Sequence, residues 1–153
     1  MFTKIKNITL TVLFSALLTF TPSFAADNNS AISTTPLNVV AAPQKYLNKT
    51  VTMKATFDKF STLGLDYKKA MRSSNDYIGF LIQRDDVVDH NVPLSEMKLF
   101  IKRDYAEKFI ELDTGDKIQI TGKVFSNALG DPWIDINKIT ILQKKANPDK
   151  DKK

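Results

Sequence analysis

Between Val51 and Leu142 the chain alternates apolar and polar residues in five separate runs, and only one gap between them carries a helix signature. A period of two puts apolar side chains on one face, so each run reads as a half-buried strand that needs partners. The runs are Val51–Asp58, Asp76–Arg84, Met97–Arg103, Lys117–Phe125 and Pro132–Leu142. Their phase assigns Phe57, Ile78, Phe80, Ile82, Met97, Leu99, Ile101, Ile118, Ile120 and Val124 to one shared interior. The helix signature follows the third run. Asp104 with Glu107 three residues on has the form of a capping box, and Tyr105, Phe109 and Leu112 share a face of the segment Tyr105–Leu112.

Three strands, one helix and two strands is the order of the OB-fold, a five-stranded Greek-key barrel. The expected class is therefore all-β with short helices, the main helix lying between strands three and four. An SH3-like barrel is the alternative, and it lacks room for the Tyr105–Leu112 helix. A short N-terminal helix should precede the barrel, because Thr35 followed by Pro36 is an N-cap with proline at the first helical position, and Leu37, Val39 and Val40 supply an apolar side. Ser61–Asn75 and Asp85–Ser95 break the alternation and read as loops.

The two ends have a different composition. Residues 1–25 carry Lys4 and Lys6, an apolar run from Ile8 to Phe20, and the sequence Pro22-Ser23-Phe24-Ala25 before Ala26, which are the three parts of a secretory signal peptide. The apolar run is shorter than the roughly 20 residues of a spanning helix. A periplasmic or secreted protein, with no membrane span after cleavage, is the expectation. Residues 26–34 and the lysine-rich stretch 144–153 read as disordered tails, leaving 35–143 as the domain. The formal charge of +5 lies at these ends, since residues 26–143 hold 15 basic and 15 acidic groups. A neutral body argues against a strongly basic nucleic-acid surface. With no cysteine in the chain, disulfides and thiol chemistry are ruled out.

Three stretches carry a resemblance. Pro43-Gln44-Lys45-Tyr46-Leu47-Asn48-Lys49-Thr50-Val51, then Thr114 to Val124 with Gly122 inside it, then Trp133-Ile134-Asp135-Ile136 are similar to the framework of small exported bacterial OB-fold proteins and of tRNA-anticodon-like OB domains. The resemblance spans roughly residues 36 to 142 and implies that Gly122 lets its strand coil sharply. Many OB domains place an acidic residue and a glycine between strands two and three. Asp85–Pro93 stands there instead, so the ligand grip of those domains does not carry over.

No catalytic residue is expected. His90, the only histidine, sits beside Asp89 in a polar loop, and no nucleophile elbow accompanies it. Asp85, Asp86, Asp89 and His90 lack the spacing of a known metal loop, so neither metal nor cofactor is expected. OB barrels usually bind on the outer face of strands two and three. With the interior assigned as above, Tyr77, Leu81, Lys98, Phe100 and Lys102 point outward together, and Trp133 at the start of the last strand is a further candidate contact. Exposed aromatics between lysines could stack rings and neutralise a backbone charge. The opposing reading is that Ser61–Asn75 covers Phe100 and Tyr77 as a second small core. The functional expectation is an exported, non-catalytic OB-fold binding or adaptor protein for a protein, peptide or envelope polymer, with single-stranded nucleic acid as the alternative ligand. Oligomeric state is not legible in the sequence.

Overall fold

The computed structural model describes residues 30–87 and 89–146, so the signal-peptide reading of residues 1–25 lies outside the described residues. Its strands are β1 (Ile32–Thr34), β2 (Thr50–Ser61), β3 (Tyr77–Ile82), β4 (Lys98–Lys102), β5 (Lys117–Ser126) and β6 (Trp133–Gln143). Short helices α1 (Pro36–Ala41) and α2 (Pro43–Tyr46) lead into β2, and α3 (Arg103–Ala106) joins β4 to β5. Strands β2 to β6 are the five expected runs.

They close into a barrel in the order β2-β3-β4-β6-β5, with β5 returning to pair with β2. All neighbours are antiparallel except β4 and β6, which run parallel with Leu99 opposite Ile134. This is the OB-fold topology. Within the barrel strand β2 serves two neighbours, β5 along Thr50–Thr56 and β3 along Phe57–Ser61, and the register shift between Phe57 and Lys59 marks the change. Gly122 sits at another shift, where β5 bends against β6. A side chain there would place Cβ 2.4 Å from the Asp135 carbonyl, so only glycine allows this approach.

The interior follows the alternation. Val51, Met53, Phe57, Phe80, Ile82, Leu99, Ile101, Ile118, Ile120, Val124 and Ile134 form one buried cluster, joined by Val39 and Tyr46 from the lead-in helices and Leu112 from the segment after α3. Thr35 caps α1 by accepting the Asn38 amide hydrogen.

Three expectations need correction. Ile32–Thr34, assigned by composition to a disordered tail, instead pairs in parallel with Val51–Met53. A polar segment can be ordered this way because an edge of β2 offers backbone groups that an added strand can pair with. The helix after β4 begins at Arg103, with Lys102 as its cap residue and no side-chain cap. Asp104 accepts from the neighbouring Tyr105 amide instead of building a capping box, because β4 runs directly into the first turn. A 3-10 turn, Glu107–Phe109, continues it, and Tyr105 and Phe109 still meet edge to face at 5.2 Å.

The third correction concerns the lysine-rich stretch, whose first two residues belong to the fold. The buried Asp116 carboxylate accepts from the Asp113 amide at 2.9 Å, the Lys144 ammonium at 2.7 Å and the Lys145 amide at 2.8 Å. Burial pushes this carboxyl up, but the Lys144 ammonium and the two amides outweigh it and hold the group below the usual aspartate range. A depressed folded-state value contributes stability above the unfolded value of about 3.9 and loses it as pH falls through the folded one. Asp116→Asn, which leaves charged and amide donors without a full acceptor, is expected to cost about 2 kcal/mol at neutral pH. In urea titrations that gap between the two proteins should narrow as the pH is lowered from neutral to strongly acidic. A gap independent of pH would show that the carboxylate charge is not what the donors hold.

Candidate functional site

The outer face of β3 and β4 is built by the same alternation that fills the core. Antiparallel pairing sets Tyr77 opposite Lys102 and Gly79 opposite Phe100. Parallel pairing then brings β6 alongside, with Trp133 opposite Lys98 and Asp135 opposite Phe100. The candidate residues therefore lie on one continuous surface, and the loop 62–76 divides it in two.

One half is closed. Phe100 is 0% exposed and Trp133 1%, and with Ala70 they form a second buried cluster to which Leu65, Tyr67, Tyr77 and Phe125 add. The backbone of Gly64 rests on both rings: a Cβ there would lie 3.2 Å from Trp133 and 3.3 Å from Phe100. Tyr67 stacks on Trp133 with centroids 5.3 Å apart, and the indole Nε1–H donates to the Ala128 carbonyl at 2.8 Å. Arg72 clamps the loop by a two-pronged bond to Asp135, at 2.8 and 2.6 Å, with its guanidinium 3.7 Å above the Phe125 ring. The Asp135 carboxylate raises the Arg72 guanidinium further above its ordinary value.

This placement corrects the assignment of Phe100, Trp133 and Leu81 as ligand contacts. Phe100 and Trp133 are buried beneath the loop, so the covered second core is the arrangement formed there, and Leu81 is buried as well. Lys98 is largely buried and committed, its ammonium 3.3 Å from Asp131 and donating to the Ser95 carbonyl.

The other half is open. Tyr77 is half-buried and Lys102 exposed, and both line two hollows of about 480 and 360 Å³. The first is completed by Asn75, Asp76, Arg103 and Asp104. The second is completed by Tyr105, Lys123, Asp135, Ile136 and Asn137. The groove thus sets two tyrosines beside Lys102, Arg103 and Lys123, while Asp76 and Asp104 border one end and Asp135 is neutralised by Arg72. Flat rings, cations and amides around two adjoining hollows can bind a ligand that carries rings, hydroxyls and scattered negative charge. Tyr105, Lys123 and Asn137 were not among the residues expected from sequence. The signal for Lys123 is register, since β5 sets it opposite Asp135 of β6, and register becomes readable only once the strand order is known.

The acidic loop offers no comparable centre. Arg84 binds Asp86 at 3.0 Å and also Glu96, and its guanidinium holds the Asp86 carboxyl below the usual range. Asp89 and His90 are exposed. Among the described residues no three of His, Asp and Glu converge as metal ligands, and no helix is long and apolar enough to cross a membrane.

No protein-family model matches the chain, and no curated protein matches it either. Among solved structures it is similar to a protein described as an aspartyl-tRNA synthetase from Leishmania major Friedlin, with a TM-score of 0.50, 9% identity, and coverage of 79% of this chain and 22% of that one. It is also similar to asparaginyl-tRNA synthetase from Pyrococcus horikoshii complexed with asparaginyl-adenylate, with a TM-score of 0.44, 13% identity, and coverage of 67% and 21%. A mitochondrial single-stranded DNA binding protein from S. cerevisiae follows, with a TM-score of 0.42, 11% identity, and coverage of 63% and 96%. The chain thus spans about a fifth of the length of the two synthetases. At 9% identity the likeness to the first of these concerns the fold alone.

Proposed function

We propose that this chain is a non-catalytic OB-fold binding module, exported to the periplasm or beyond, and that an extended polymer lies along the groove centred on Tyr77 and Lys102. The observation that carries this reading is the cross-strand Tyr77–Lys102 pair shared by both hollows, flanked by Tyr105 and Lys123. Export rests on residues 1–25 and makes a cell-envelope polymer the ligand such a protein meets. The groove suits a weakly anionic chain, because its three cations are partly offset by Asp76 and Asp104. Single-stranded nucleic acid is the second reading, favoured by the two tyrosines beside three cations, an arrangement that stacks bases and neutralises phosphates.

The test uses protein recovered from the cell envelope, whose N-terminus should be Ala26. Calorimetric titration compares soluble cell-wall glycan fragments with an oligothymidylate, against wild type, Tyr77→Ala and Lys102→Glu. Any shortened version must keep Lys144 and Lys145, which bind Asp116. Each substitution should weaken binding about tenfold, the scale of one stacked ring or one paired charge. A nucleic-acid ligand would show affinity falling steeply with salt, whereas a weakly charged glycan would not. Binding that survives both substitutions would remove the groove from consideration.

A further inference from the structure

Tyr67 occupies Trp133 as a bound ring would. Its plane is inclined by 20° to the indole, and the indole is inclined by 21° to Phe100 at a centroid distance of 5.8 Å. Two of the three rings belong to barrel strands and the third to the 62–76 loop, so the barrel's own loop fills the stacking position on its outer face. The manner of attachment separates this loop from the barrel. Among the described residues the backbone hydrogen bonds of 62–72 close within the loop, from Leu65 to Thr62, Asp66 to Arg72 and Ala70 to Tyr67. Its grip on the barrel is made by packing, where Gly64, Leu65, Tyr67 and Ala70 lie on the Trp133–Phe100 rings, and by the Arg72–Asp135 pair, whose partners are 26% and 33% exposed and therefore within reach of solvent and salt. Gly64 and Asp66, both with positive φ, give the loop two left-handed turning points near its start. Leu63 and Met71 stand about half exposed on it.

We propose that residues 62–72 form a displaceable strap, with Tyr67 as a tethered occupant of a second binding face, and that a ligand with a planar ring takes the Trp133–Phe100 platform by replacing Tyr67. Lifting residues 62–72 breaks the Arg72–Asp135 pair and uncovers the rings on which Gly64, Leu65, Tyr67 and Ala70 pack, while 73–76 stay tied to α3 by the Arg103 bonds to Ser74 and Asp76 and the barrel ladder is untouched. This face adjoins the groove, sharing Tyr77 and Asp135 with it, and the fluorescence and exchange measurements below test the strap without any groove ligand.

Trp133 is the only tryptophan in the chain and reports on its own cover. In the full exported protein, acrylamide should quench its fluorescence weakly in wild type and several-fold more strongly in Arg72→Ala. Adenosine, an uncharged planar ring that does not depend on the groove's cations, should bind Tyr67→Ala at least tenfold more tightly than wild type. Hydrogen exchange on the unaltered protein avoids reliance on variants. The amides of Leu65, Asp66 and Ala70 should exchange at least tenfold faster than those of Ile118 and Ile120, which lie in the barrel ladder. Exchange of the two groups at one common rate would make the loop part of the cooperative core and overturn the proposal. So would a tryptophan that stays shielded in folded Arg72→Ala, or an adenosine affinity unchanged by removing Tyr67.

Discussion

Trp133→Ala is expected to destabilise the domain by about 3–5 kcal/mol, the range for deleting a buried aromatic side chain together with the cavity it leaves. The indole stacks on Tyr67 at 5.3 Å and on Phe100 at 5.8 Å, and its removal also takes the shorter of two hydrogen bonds from the Ala128 carbonyl, which keeps the Asp131 amide as donor. Urea unfolding followed by circular dichroism measures the loss. Phe100→Ala should behave similarly, and for that reason it is a poor probe of ligand contact. A loss under about 1 kcal/mol for Trp133→Ala, typical of an exposed position, would show that the second core is not packed as described.

Ile120→Ala should cost about 2–5 kcal/mol by the same cavity argument. The side chain is fully buried, and its backbone stands between Met53 of β2 and Ile139 of β6. Its neighbour Gln119 points the other way, opposite Lys54 and Thr140, and Gln119→Ala should change stability by no more than about 0.5 kcal/mol. The pair tests strand phase directly. Equal losses at both positions would mean that β5 is set one residue out of register, because a shift of one residue turns every side chain to the opposite face.

These two cores differ in how far the amino-acid sequence announces them. The main core is carried by period two, a local signal, so Ile118, Ile120 and Val124 could be assigned inward without knowing their partners. Strand β1 has no such signal. Ile32–Thr34 is strand because β2 presents an edge to it, a fact located some twenty residues away. The helix start failed for a related reason: Asp104 and Glu107 have the spacing of a capping box, but the chain already turns at Lys102 as it leaves β4. On the candidate surface, direction was legible and exposure was not. Phe100 and Trp133 do lie on the outer face, yet whether that face meets solvent depends on Arg72 reaching Asp135 across 63 positions of the chain. Likewise Tyr77 and Lys102 could be paired from alternation, whereas Lys123 joins them only through the Lys123–Asp135 register.

Amide chemical-shift mapping locates the binding surface without any substitution. Titrating the labelled protein with cell-wall glycan fragments, and separately with an oligothymidylate, should produce saturable shifts concentrated at Tyr77, Lys102, Lys123 and Asn137, which line the open groove, with residues 54–56 and 117–118 on another part of the barrel unmoved. Saturable shifts centred on 54–56 and 117–118, with Tyr77 and Lys102 unaffected, would place binding elsewhere and refute the assignment of the groove.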